Sequence, residues 1–172
     1  FFKYFGYLEV LLGFVFYIYQ LYLIFKTKVR KQKDIYYLYI VFAVISFILA
    51  LILSCFYFIY LNDYILSVAG FVFLIGFLSP MITAHLYKIV PFLVWFHRFS
   101  SLVGKQKVPM LADMVPLKSS NFGFSFYLIG FILSLIAFSL NSDILFKSAV
   151  SFLFIGTLFI VKDVFYIINF KG

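Results

Sequence analysis

The chain has 172 residues, 66% of them hydrophobic, 24% aromatic and 12% charged, with a formal net charge of +8 and a mean hydropathy of +1.13. A soluble domain is about half apolar and about a quarter charged, so a chain with 27 Phe and 14 Tyr carries more apolar surface than its own interior can hide, and lipid must face it. The one cysteine, Cys55, excludes an internal disulfide framework and a cysteine-cluster metal site, and is expected as a small buried hydrophobe.

The basic residues lie in short segments between apolar runs, which is the pattern of a lipid-embedded protein; no nucleic-acid partner is expected. A helix crosses the hydrocarbon core with about 20 apolar residues rising about 1.5 Å each. Five such runs are expected as spans, at about 4–25, 35–61, 64–87, 124–140 and 144–161. They lack the polar–apolar alternation of barrel strands, and only helices or closed barrels satisfy their backbone in lipid. The expected fold is therefore all-α, a polytopic helical membrane protein with about five transmembrane helices in one bundle.

Span one begins at once, with Phe1 rather than Met and without the charged region and cleavage pattern of a signal peptide. This start predicts a piece of a larger membrane protein, with further transmembrane helices upstream or in a partner subunit. Gly6, Glu9, Gly13 and Gln20 fall within one narrow arc of the span. A carboxylate at that depth costs a few kcal/mol unless it is protonated, paired or wet. Glu9 with Gln20 is thus a candidate ion or proton site, or Glu9 reaches the outer interface and pairs with Lys3.

The connectors alternate in charge. Lys26, Lys28, Arg30, Lys31, Lys33 and Asp34 separate spans one and two, whereas Asn62 and Asp63 alone separate two and three. Arg98, Lys105, Lys107, Asp113 and Lys118 follow span three, and Asn141, Ser142 and Asp143 follow span four. With Lys88, Lys162 and Lys171 counted on the basic side, only Lys3 and Lys147 of the fourteen positive residues lie opposite. The positive-inside rule then predicts an outside N-terminus and a cytoplasmic C-terminus, in a multi-pass protein of the plasma (inner) membrane.

Span three is the longest apolar stretch. Ala69, Gly76 and Thr83 recur at seven-residue spacing, as a packing face requires. Pro80 is expected to release the Gly76 carbonyl and Pro91 that of Tyr87, bending the helix and turning it along the membrane surface, with an interfacial segment over about 91–116. Lys88, Trp95, Arg98, Lys105 and Lys107 are the expected lipid-interface anchors, the last two against anionic headgroups. Val108 to Pro116, bracketed by prolines, is expected as a short interfacial turn or helix. In spans four and five, Gly130 with Ser134 and Ala149 with Gly156 mark the packing faces.

His85 and His97 are the only histidines, both in this third segment. They are candidate cofactor-binding residues, with His85 the candidate haem or metal ligand; the other reading is a pair of interfacial histidines bonded to backbone or headgroups. On an unbroken helix they stand about 18 Å and about 120° apart, so a shared iron would need the chain to fold at Pro91.

The stretch Gly76 to Pro116, with HLYKIVPFLVWFHRFS and VGKQKVPMLADMVP, resembles a group of bacterial polytopic membrane proteins distantly similar to haem–copper oxidase subunit I. In those subunits a transmembrane histidine followed by an aromatic-Pro turn recurs. The resemblance implies a respiration-linked, haem-associated membrane subunit with His85 as ligand. It does not imply oxygen reduction, because oxidase subunits carry six histidine ligands and a His-His pair for copper, and here only His85 stands in such a position. No nucleotide-binding, hydrolase or zinc-protease motif is present, so catalytic residues are not assigned. A secondary transporter or channel module using an intramembrane carboxylate is the alternative function, and a structural or assembly subunit the second.

Overall fold

The computed structural model describes residues 2–27 and 34–170, at 2–5, 7, 10, 11, 25 and 58 by their backbone alone. Lys28, Arg30, Lys31, Lys33 and Lys171, all counted on the basic side, lie outside the described residues, as does the Lys3 side chain. The chain forms two compact units, Phe1–Lys33 and Asp34–Gly172.

The first unit contains α1, Phe2–Thr27, a helix of 26 residues and therefore about 39 Å long. Its apolar stretch is Leu12–Ile24, and the last turn closes with the Thr27 hydroxyl donating to the Leu23 carbonyl at 2.8 Å.

The second unit is built from α2 (Ile35–Tyr60), α3 (Asp63–Phe71), a π-helical segment (Val72–Leu78), α4 (Ser79–Phe99), α5 (Leu117–Leu140) and α6 (Asp143–Ile168). No strand occurs among the described residues. Among the described residues four stretches are long and apolar enough to cross a membrane: Ile35–Tyr57, Asp63–Leu102, Leu117–Leu140 and Asp143–Ile168. The protein is an all-α, polytopic helical membrane protein.

Its two polar hairpin turns share one construction. Leu61 and Asn141 end α2 and α5 in the left-handed region, at φ 49° and 53°. Asn62 and Ser142 then cap the next helix, accepting from the Tyr64 and Leu145 N–H groups. Asn tolerates left-handed backbone better than a branched aliphatic does, so Leu61 is the costlier of the two closures. At the other end Asp34 caps α2 by accepting the Tyr37 N–H at 3.1 Å.

Helices α5 and α6 approach closely because glycines face the partner backbone. A Cβ at Gly130 would stand 2.7 Å from Leu153 N and 2.9 Å from the Ala149 carbonyl oxygen; one at Gly156 would stand 2.8 Å from Tyr127 N. Ser134 and Ala149 are fully buried beside them, the arrangement that small residues permit between helices in lipid.

The third span differs in detail from expectation. It is one helical stretch from Asp63 through Phe99, and it widens to π register between Val72 and Leu78, directly before Pro80. There the Ser79 N–H donates to Leu74, five residues back. In that register the next donor would be Pro80, which has no N–H, so the carbonyl left over belongs to Ile75 rather than Gly76. The Tyr127 hydroxyl of α5 donates to it at 2.7 Å. Gly76 serves packing instead: a Cβ there would meet Phe131 and the Ser46 Cβ, each at 2.7 Å. At Pro91 the helix does not end but runs on to Phe99. The expected interfacial turn is a short 3-10 segment, Leu111–Met114, in which the Asp113 carboxylate accepts the Met110 N–H at 3.0 Å.

Candidate functional site

The fifth expected span stops at Val161 because Lys162 and Asp163 follow it, but α6 continues for almost two further turns, to Ile168. Ala149, Gly156 and Asp163 recur at seven-residue spacing on the buried face, and Asp163 has no exposed surface. An aspartate buried in a membrane bundle is costly and needs partners. One of its oxygens has a partner: the Tyr87 hydroxyl of α4 donates to Oδ2 at 2.8 Å. Oδ1 has none.

A second buried phenol completes the cluster. Tyr39 of α2 is fully buried, its ring stacks on that of Tyr87 with centroids 6.0 Å apart, and its hydroxyl is also without a hydrogen-bond partner. Phe124 of α5 stands edge-on to the Tyr39 ring at 5.0 Å, and Phe42 edge-on to Phe124. Four helices therefore enclose one carboxylate and two phenols behind aromatic rings, and two of the three polar groups keep hydrogen-bonding capacity unused. Native proteins leave very few buried polar atoms in that condition, and each one calls for an explanation, a catalytic role or a bound ion or water among them.

The helix rise fixes the depth of the cluster. Asp163 lies about 30 Å along α6 from its start beside the Asn141 turn, whereas Tyr39 is about 6 Å from the start of α2. The site thus occupies the end of the bundle that carries Asp34, Lys88 and Lys162. There Lys88 of α4 donates to Asp34 Oδ2 at 2.8 Å and stands 5.0 Å from the Tyr36 ring centroid. Lys162 reaches Ser119 at 3.4 Å and lies over Phe159, directed away from its neighbour Asp163.

The histidines take surface positions. His85 is exposed, with Nδ1 2.7 Å from the Met81 carbonyl oxygen and its ring edge-on to Tyr36 at 5.9 Å. A carbonyl oxygen only accepts, so this contact requires a proton on Nδ1. His97 is also exposed, against Phe96. Because α4 is continuous through Pro91, the two stay about 18 Å apart along it and are not brought to one centre. Among the described residues no group of three or more His, Cys, Asp or Glu side chains is placed to hold a metal ion.

Glu9 and Gln20 are both exposed residues of α1. Of the interface anchors, Trp95 donates its indole N–H to the Pro109 carbonyl at 2.9 Å, so it ties the following loop to α4; Arg98 donates to the Phe170 carbonyl; Lys105 and Lys107 are exposed. Cys55 is exposed rather than buried.

These features define the class, an integral membrane protein of apolar helices in contact with the lipid bilayer, with a buried carboxylate at one end. No protein-family model, no curated protein and no solved structure matches the chain.

Proposed function

We propose that this protein is an ion-coupling module of a secondary transporter or channel, in which the Asp163 carboxyl takes up and releases the coupling ion. The observation that carries this reading is a fully buried aspartate with one oxygen held by Tyr87 and the other open. A structural aspartate would be expected to have both oxygens satisfied, since each unmet buried acceptor costs about 1–3 kcal/mol. This reading keeps the sequence-level idea of an intramembrane carboxylate but moves it from Glu9 to Asp163. By the positive-inside rule the cluster end faces the cytoplasm of a plasma-membrane protein, and the N-terminus lies outside.

The test is flux. Purified protein in liposomes loaded with pH- and cation-sensitive dyes is given imposed gradients of proton, Na+ or K+. The proposal expects flux above that of empty liposomes and its loss in Asp163→Asn. Equal flux in the variant, or none from the wild type, refutes it.

One observation favours the haem-associated reading as the second. His85 holds its Nδ1 proton on a backbone carbonyl, which is how ligating histidines are oriented with Nε2 free for iron. His85 would hold the haem iron there, and the haem would supply redox chemistry. A reduced-minus-oxidised optical spectrum of the purified protein and of His85→Ala tests it: a haem band lost in the variant supports the reading, and a featureless wild-type spectrum removes it.

A further inference from the structure

We infer that the ion handled at Asp163 is the proton, not an alkali cation. The inference rests on the proposed function and names the species for that same site.

The donor set argues for it. A cation such as Na+ or Ca2+ needs several oxygens, from carboxylates, carbonyls and water, converging on one point. The cluster offers one open carboxylate oxygen and the phenol hydroxyls of Tyr39 and Tyr87, and the Tyr87 hydroxyl is already directed at Asp163 Oδ2. The Thr83 and Ser120 hydroxyls donate to the Ser79 and Pro116 carbonyls, at 2.9 and 3.2 Å. That set is too poor for a metal ion. It suits a proton, because phenol and carboxyl groups each donate and accept.

The surrounding charges agree. Tyr87 faces Asp163 from α4, and from α2 the Tyr39 ring stacks on that of Tyr87. From α5, Tyr127 is committed to the Ile75 carbonyl. On α6 itself, Lys162 is held by Ser119. Among the described residues the ion pair at this end is Lys88 with Asp34, and Asp163 has no ion-pair partner. The step is simple to balance. A proton adds to the carboxylate at Oδ1 and gives the neutral acid, still accepting from Tyr87 at Oδ2; the new O–H becomes a donor, and loss of the proton restores the carboxylate. A hydrogen-bonded neutral carboxyl has no charge left to desolvate.

The experiment is pH-difference infrared spectroscopy of the protein in liposomes, without any transported substrate. We expect a carboxylic-acid C=O band that grows on acidification, shifts in D2O, and disappears in Asp163→Asn. In Tyr87→Phe, which keeps the carboxyl but removes its donor, the band should persist at an altered frequency. Exchange of Na+ for K+ or for an organic cation at constant pH should leave it unchanged. A carboxylate band at Asp163 that responds to the alkali cation and not to pH overturns the inference, and so does a carboxyl silent to both. The two readings fail separately: a proton-titrating Asp163 without flux in liposomes removes the transport proposal only, whereas Asp163-dependent flux driven by Na+ or K+ removes this inference only.

Discussion

Gly130→Ala adds one methyl group to the contact between α5 and α6, and its effect follows from the geometry. The new Cβ would stand 2.7 Å from Leu153 N, 2.9 Å from the Ala149 carbonyl oxygen and 2.9 Å from Leu153 Cγ. Ordinary contact begins near 3.4 Å, and two of these three atoms are backbone that cannot swing aside, so the helices must part by about half an ångström or more. A gap of that size forfeits about a quarter to a half of each dispersion contact across the seam, and overpacking of this kind costs about 1–3 kcal/mol. Replacing glycine in a helix returns up to about 1 kcal/mol, which leaves a net loss of up to about 2 kcal/mol. For a chain of this size that lowers the melting temperature by up to about 8 °C. Gly70→Ala is the matched control, since nothing lies within 4 Å of a Cβ there; it should be neutral or slightly stabilising. Thermal unfolding in mild detergent, followed by helical circular dichroism, measures both. Equal melting temperatures for the two variants would refute the close packing of α5 on α6.

Tyr87→Phe removes the donor to Asp163 Oδ2 and should cost about 1–3 kcal/mol. The double variant Tyr87→Phe with Asp163→Leu should recover most of that, because a buried polar pair replaced by apolar groups is close to neutral; a double-mutant cycle in chemical unfolding checks the sign. Tyr127→Phe strips the Ile75 carbonyl of its donor and should destabilise by about 1–3 kcal/mol, less so in a Pro80→Ala background, where a backbone N–H is restored. Asp34→Ala should cost about 1 kcal/mol through the lost helix cap, whereas Lys88→Ala should change stability by less, since the pair has side chains 52% and 37% exposed; Asp34→Asn, which keeps a cap, should fall between them. A topology reporter fused at Ser101 should be active on the cytoplasmic side only; activity on the outer side reverses the orientation.

The helices were legible in the sequence because length and apolarity alone decide them. Asn62, Asn141 and Ser142 marked the turns in which they are found, and the glycine and alanine stripes of the last two spans marked their contact. The site was legible only in part. Asp163 escaped because a hydropathy window closes at Lys162, two charges in a row, although Ala149, Gly156 and Asp163 continue one face and Val164 to Ile168 are apolar again. Tyr87 escaped because a tyrosine near a membrane end has the form of an interfacial aromatic until the helix carrying its partner is placed beside it. Tyr39 escaped for the same reason. The carbonyl released by Pro80 was misassigned by one residue because π register is not written in local sequence; it depends on Tyr127, 52 positions away, reaching Ile75.

The central claim is that the Asp163 carboxyl does the coupling and is not merely a polar fixture of the fold. Proton flux into liposomes tests it most directly when Asp163→Asn is compared with wild type and with Gly130→Ala, a variant weakened in packing but intact at the site. Coupling through Asp163 gives flux in wild type and Gly130→Ala and none in Asp163→Asn. Flux retained in Asp163→Asn, or lost equally in both variants, would contradict it.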